Sequence, residues 1–219
     1  MNKILITGAN RGIGLELCRQ LAARGDDVIA VCRKASRELQ GMRLHVIENI
    51  DVSSAESISF LQAQLDQVKL DWLINNAGIL SVESLDSLDF EAMERQFKVN
   101  ALGPLRVTSA LVHQLGPGSK VGIITSRMGS VGDNTSGGYY GYRMSKAAVN
   151  MAGMSLARDL QQQGIAVTLL HPGMVATDMS GGRGIPPEQS ASGLIQRMDA
   201  LDLTDTGSFW HAQGERLPW

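Results

Sequence analysis

The sequence predicts an α/β fold: a single doubly wound, Rossmann-type domain with a mostly parallel sheet and helices on both faces. Three observations support this. Short apolar runs alternate with longer amphipathic stretches along the whole chain, the pattern of strands joined by crossover helices. The first apolar run ends in a glycine-rich turn, Thr7-Gly8-Ala9-Asn10-Arg11-Gly12-Ile13-Gly14, and helix-period residues follow directly. No internal repeat, low-complexity tract or linker divides the 219 residues, 43% of them hydrophobic, so one substantial core is expected.

Lys3–Thr7 opens the sheet. Ile13, Leu17 and Leu21 then recur at helical spacing, and Gly25 supplies the residue that closes such a helix. Asp27–Val31 and Arg43–Ile47 read as the second and third strands. Ser53 with Glu56 matches a capping box for a helix carrying Ile58, Leu61 and Leu65. Leu70–Asn75 is the fourth strand. Met93, Phe97, Ala101 and Leu105 form a stripe on a longer helix. Within it Pro104 has no N–H, so the carbonyl of Asn100 loses its helical partner and needs another donor, for which water is the simplest choice.

Lys120–Thr125 reads as the fifth strand, Tyr142 to about Gln162 as a helix stopped by Gly164, and Ile165–His171 as the sixth strand. Gly181–Gly184 follows a strand's C-terminal end, the ligand side of such sheets, and reads equally as a lid or as a surface connection. Pro186 and Pro187 suit the first turn of a helix running to about Leu201. Ser208–His211, a last short strand, carries the weakest pattern.

Formal net charge is −2, which provides no basic field for nucleic acid or anionic lipid. No apolar run reaches membrane-spanning length, and the N-terminus enters a strand without the pattern of a signal peptide. The expectation is a cytoplasmic protein with no membrane or nucleic-acid partner. Cys18 and Cys32 fall in a helix and at a strand end, and no disulfide is expected between them. His45, His113, His171 and His211 show no metal-ligand spacing, so no metal is expected.

The glycine turn sits where a strand feeds a helix. Gly8 turns the chain, while Gly12 and Gly14 allow backbone and helix to close around a phosphate, and the free N–H groups of the helix end favour that anion. A dinucleotide is the expected ligand. Its type depends on the end of the second strand, where a carboxylate would select NAD(H). This chain has Cys32 and Arg33 there, with Arg11, Lys34 and Arg37 nearby. Guanidinium groups bind a 2′-phosphate through charge-assisted pairs, each worth ~1.5–3 kcal/mol. NADP(H) is therefore expected over NAD(H).

Tyr142 alone among the tyrosines has a lysine four residues on, Lys146, which places both on one helix face. An ammonium ~4 Å from a phenolate stabilises it by ~4 kcal/mol at an effective dielectric of about 20. That is enough to lower a phenol's pKa by up to about 3 before desolvation opposes it. Ser126, at the end of the fifth strand, places a hydroxyl at the sheet's ligand edge, where it can hold a substrate oxygen against the phenol. A phenol, an ammonium and a hydroxyl beside a dinucleotide point to hydride transfer with a carbonyl or alcohol. If the helix bearing Asn100 passes behind Lys146, the freed carbonyl becomes part of a proton path.

Thr7–Gly14, Asn75-Asn76-Ala77-Gly78, Asn100, Ser126, Tyr142 with Lys146, and Pro172-Gly173 occur in the order and spacing of the short-chain dehydrogenase/reductase family. The resemblance covers nearly the whole chain. Within the family it resembles the C-factor and sniffer-type carbonyl reductase branch, on the stretches Ser126–Ser130 and Tyr139–Lys146 and the closing Leu217-Pro218-Trp219.

The resemblance implies a cofactor half of about 1–118 and a catalytic and substrate half of about 119–219. It implies a catalytic set of Asn100, Ser126, Tyr142 and Lys146. It implies cofactor contacts from Gly8, Asn10, Arg11, Gly12, Ile13, Gly14 and Arg33. Further contacts are implied from Asp51 and Val52 at the adenine, and from Asn76, Ala77 and Gly78 after the fourth strand. At the nicotinamide end it implies Tyr142, Lys146, Pro172, Gly173, Val175 and Thr177. It also admits a homo-oligomer assembled through the two long central helices, beside a monomer.

Arg127 replaces a residue that is small in many members, and the segment after Asp178 is short; both departures touch the substrate side. Arg127, Met128, Tyr139 and Tyr140 are candidate pocket residues, Arg127 reading also as a structural ion pair. The C-factor resemblance adds a second reading, a dinucleotide-binding signalling or interaction protein.

Overall fold

The computed structural model describes residues 1–219. Its apolar runs align as one seven-stranded sheet: β1 (Lys3–Thr7), β2 (Asp27–Val31), β3 (His45–Ile47), β4 (Trp72–Asn75), β5 (Lys120–Ile124), β6 (Ala166–His171) and β7 (Ser208–His211). The spatial order is β3-β2-β1-β4-β5-β6-β7, and every neighbouring pair is parallel. Seven helices cover it: α1 (Gly12–Ala23), α2 (Arg37–Gln40), α3 (Ala55–Gln64), α4 (Phe90–Phe97), α5 (Gly103–Leu111), α6 (Tyr140–Gln161) and α7 (Pro187–Ala200). None is long and apolar enough to cross a membrane.

Strand alternation sends side chains to two cores. Ile4, Ile6, Val28 and Ala30 point to one face, where Leu17 and Leu21 of α1 meet Leu194 and Met198 of α7. Leu5, Ile29, Val121 and Val167 point to the other, against Leu61, Leu111, Val149 and Leu160 of α3, α5 and α6. Strand order reverses between β1 and β4, and a crevice opens at such a switch point, beyond the strands' C-terminal ends.

Local departures from the sequence reading have physical causes. β3 starts at His45 because Arg43 is left-handed at φ 52°. β4 starts at Trp72, and the Leu70 N–H instead donates to the Gln114 carbonyl at 2.8 Å. The cap of α3 is Ser54, which accepts from the Ser57 N–H. Ser53 is instead taken up by Asp51, to which its N–H (2.8 Å) and hydroxyl (2.6 Å) donate. The short α2, capped by Ser36, was not expected, and α6 begins at Tyr140 after a left-handed Tyr139. Gly25 closes α1 at φ 93°, as anticipated.

The fault expected at Pro104 takes a specific form. Between α4 and α5 the chain winds through a π-helical segment, Lys98–Leu102. Closing by i→i+5 bonds shifts the ladder by one residue where the proline cannot donate.

Candidate active site

A cavity of about 610 Å³ occupies the crevice. One wall is built almost entirely by backbone. Gly8 is left-handed at φ 67°, and a Cβ there would lie 2.8 Å from Ala77 Cα. A Cβ on Gly14 would strike the Gly8 carbonyl and approach the Asn76 amide at 2.5 Å. The first turn of α1 therefore presses against the β1 turn as closely as two backbones allow. Asn76 ties the same region, donating to the carbonyls of Thr7 (3.0 Å) and Gly8 (3.2 Å). Thr7 returns the contact, its hydroxyl accepting from the N–H groups of Asn76 (3.0 Å) and Ala77 (3.1 Å).

Arg11, at the N-cap of α1, makes no side-chain cap, and the first turn holds no acidic residue. The helix end is an open anion cradle, and a cradle that any Cβ would fill fits a pyrophosphate. The end of the groove nearest β2 is bounded by Cys32, Arg33, Ile50, Asp51 and Val52. Arg33 is exposed. The Asp51 carboxyl is held below the usual range, chiefly by the Ser53 hydroxyl, with Arg33 adding charge. Glu48 approaches Cys32, but it is engaged by the Ala35 N–H at 2.6 Å and lies off the wall. Arg11 pairs across the groove with Asp178 at 3.0 Å.

The opposite wall carries Tyr142 and Lys146 on the first turns of α6. Both are buried. The Lys146 ammonium donates to the Ile124 carbonyl at the end of β5 (2.9 Å) and lies 5.6 Å from the centre of the Tyr142 ring. Burial pushes the phenol up to about 12, partly offset by the neighbouring Ser126 hydroxyl. Burial also brings the ammonium down to about 8. The expected lowering of the phenol by Lys146 is thus reversed in the free protein, because both groups lose water and desolvation outweighs their attraction.

Ser126 and Asn100 stand just behind this wall, both buried. The Asn100 side chain accepts from the Ile79 N–H (2.9 Å) and donates to the Ile79 carbonyl (2.9 Å) and the Ser145 hydroxyl (3.0 Å). Ser145 in turn donates to the Tyr142 carbonyl (2.8 Å), so Asn100 locks the loop after β4 to the helix bearing the phenol.

Of the other expected residues, Asn10, Gly12, Ile13, Gly78, Pro172 and Thr177 line the cavity. Gly173 and Val175 do not: Gly173 faces His211 and Ile185, and Val175 is buried against Ile185 in an isolated bridge. Met128, Tyr139 and Tyr140 are also off the wall. Arg127 is an ion pair, 2.7 Å from Asp133 and 3.8 Å from Glu215. Sequence reasoning missed Ile79, Arg95, Lys98, Val99 and Met179, which do line it. Arg95, Lys98 and Val99 fall on one helix face, a readable periodicity whose direction only the packing reveals.

The model of the short chain dehydrogenase family matches residues 2–185. The 1-hydroxy-2-glutathionyl-2-methyl-3-butene dehydrogenase of Rhodococcus sp. (strain AD45) is 46% identical over the full length of both chains. The C-signal protein of Myxococcus xanthus is 47% identical over 68% of this chain and 93% of its own. Among solved structures, the NADPH-bound carbonyl reductase from chicken fatty liver superposes with a TM-score of 0.90 at 28% identity, covering 100% of this chain and 99% of that one. With the glycine-floored groove and the buried Tyr142 and Lys146 facing it, these matches establish that the chain belongs to the short-chain dehydrogenase family.

Proposed function

We propose that the chain is a carbonyl reductase, or the matching alcohol dehydrogenase in reverse, that uses NADP(H) in preference to NAD(H). The observation that carries this reading is the buried Tyr142 phenol, set between Ser126 and Lys146 and opening on a groove whose floor is glycine backbone. The Gly8–Gly14 turn would hold the pyrophosphate, Asp51 and Val52 the adenine, and Arg33, with Arg11 once released from Asp178, the 2′-phosphate. Asn76, Ala77 and Gly78 would support the ribose, and Pro172 and Thr177 the nicotinamide end, with Gly173 and Val175 behind them off the groove. The cofactor, when bound, supplies or accepts the hydride.

The remaining steps belong to the protein. Ser126 holds the carbonyl oxygen by hydrogen bonding, and Tyr142 delivers its phenolic proton to that oxygen as negative charge develops there. A phenol held near 12 stays protonated throughout the neutral range, so it is loaded for reduction. Oxidation needs the phenolate and is therefore expected to accelerate as the medium becomes alkaline. Asn100 acts by fixing Ile79 and Ser145, and Lys146 by placing a cation beside the ring. The NADPH-bound carbonyl reductase supports the choice of cofactor. The Rhodococcus relative supports including glutathionylated alcohols among the substrates tested.

The test follows NADPH and NADH consumption with aldehydes, ketones, quinones and glutathionylated carbonyl compounds, for the wild type and Tyr142→Phe. The variant is expected to bind NADPH unchanged and to lose about 10²–10⁴-fold in kcat, the range of a general acid. No turnover by the wild type with any of them, or full activity in Tyr142→Phe, overturns the reading. The likeness to C-signal favours one other reading, dinucleotide-dependent signalling. That reading gains if a signalling phenotype survives Tyr142→Phe.

A further inference from the structure

The closing segment Glu215–Trp219 turns back on the fold. The Leu217 N–H donates to the Phe209 carbonyl (2.8 Å), and Arg216 bridges antiparallel to Trp210 beside β7. Leu217, 4% exposed, closes a small core with Leu169 and Phe209. The Trp219 ring stacks on Phe209 at 5.4 Å. This platform then reaches the loop after β5. The backbone oxygen of Trp219 accepts from the Ser130 hydroxyl (2.8 Å) and the Gly132 N–H (3.2 Å). Glu215 reaches Arg127 at 3.8 Å, on the guanidinium that Asp133 also holds.

That loop begins with Ser126. Its inner side is pinned to α6: Asn150 donates to the Gly129 carbonyl (3.3 Å), and a Cβ on Gly129 would lie 2.6 Å from the Lys146 backbone. Its turn is tight, Gly129 N–H donating to the Ser126 carbonyl (2.8 Å) and Ser130 N–H to that of Arg127 (2.9 Å). A displacement at Ser130 therefore reaches Ser126 through four residues of hydrogen-bonded backbone. No residue of the closing segment lines the cofactor groove.

We propose that Glu215–Trp219 is a strap that sets the position of Ser126 by clamping its loop against α6, with Ser130 and Trp219 as positioning residues for the substrate oxygen. The role of Ser126 in this proposal rests on the carbonyl-reductase reading. The strap predicts a selective defect: substrate handling suffers while the glycine-floored groove is untouched.

The test uses the full chain as wild type, Trp219→Ala and Ser130→Ala. The last removes the hydroxyl's bonds to Trp219 and to the Asp133 N–H, so the Asp133 amide is left out of the exchange readout, and it leaves the apolar anchor in place should Trp219→Ala fail to fold. Three readouts are taken: amide exchange over residues 126–133 and 8–14, NADPH affinity by fluorescence titration, and steady-state reduction of 4-nitrobenzaldehyde. Expected are faster exchange in 126–133 alone, NADPH affinity within about twofold, and kcat/KM for the aldehyde lower by about tenfold, the scale of one lost positioning hydrogen bond. Unchanged exchange in 126–133, or NADPH affinity falling in step with kcat/KM, overturns the strap. A wild type that reduces no carbonyl defeats the reductase reading instead, and amide exchange still decides whether the segment holds the loop.

Discussion

The two walls of the groove are built by different means. The wall facing the glycine turn is backbone against backbone: Gly14 touches Gly8, and Asn76 and Thr7 exchange hydrogen bonds across β1 and β4. The opposite wall, carrying Tyr142 and Lys146, is backed beyond Ser126 by side chains, ion pairs and a returning segment that do not themselves line the groove, drawn together from residues as distant as Ser130 and Trp219. A wall of packed backbone tolerates almost no added atom. A side-chain wall can be rebuilt one residue at a time, and that is where substrate choice is free to vary.

Substitutions sharpen this contrast. Gly14→Ala is expected to cost most: its methyl group would meet the Gly8 carbonyl and Asn76 amide, neither of which can retreat without opening the sheet edge. Overpacking of this kind costs ~1–3 kcal/mol or more, and thermal melting with NADPH titration should show lower stability together with lost cofactor affinity. Normal melting and binding in Gly14→Ala would remove the distinction between the walls.

Arg33→Ala is expected to act on one wall alone, reducing the NADPH-over-NADH preference in kcat/KM by about tenfold or more, the value of a charge-assisted pair. No loss with either cofactor would show that Arg33 is merely a solvated cation, and equal losses with both would show that it does not read the 2′-phosphate.

Lys146→Met gives the smallest and most specific signal. Burial lowers the Lys146 ammonium from 10.5 to about 8, so the folded state binds this proton less well than the unfolded chain does. The cost is fully present below pH 8 and vanishes as pH rises through the unfolded value. The melting temperature of Lys146→Met relative to wild type should therefore decline by on the order of 5 °C between pH 7.5 and 10. A constant difference would mean that the ammonium is better solvated than its surroundings indicate.

The same contrast explains what was legible in the sequence. β1, β2 and β7 fall where their apolar runs place them, because local pattern and burial agree. The glycine turn was legible because each of its residues answers to a neighbour within the same strand–turn–helix unit. At α3 the sequence reading placed the cap at Ser53, but the Asp51 carboxylate captured that serine and Ser54 caps the helix instead.

The direction of the Tyr142 shift was misjudged for a deeper reason. Spacing reveals that a cation is near, but the balance between attraction and desolvation depends on burial depth, which many chain segments set together. The partners of Arg127 are partly of this kind: Asp133 lies close in sequence, whereas Glu215 arrives from the far end of the chain.

The π-helical segment Lys98–Leu102 carries a consequence for chain length. An α-helix advances ~100° per residue, so a single wide turn inserts one position and re-phases everything after it. Upstream, Gln96 faces Glu83 and Ser81; downstream, Thr108 meets Asn75 beneath the sheet. Removing one residue from the wide turn would swing Thr108 away from its partner while Pro104 still lacks a donor, so a one-residue deletion here is expected to destabilise the fold even though the segment borders an open groove.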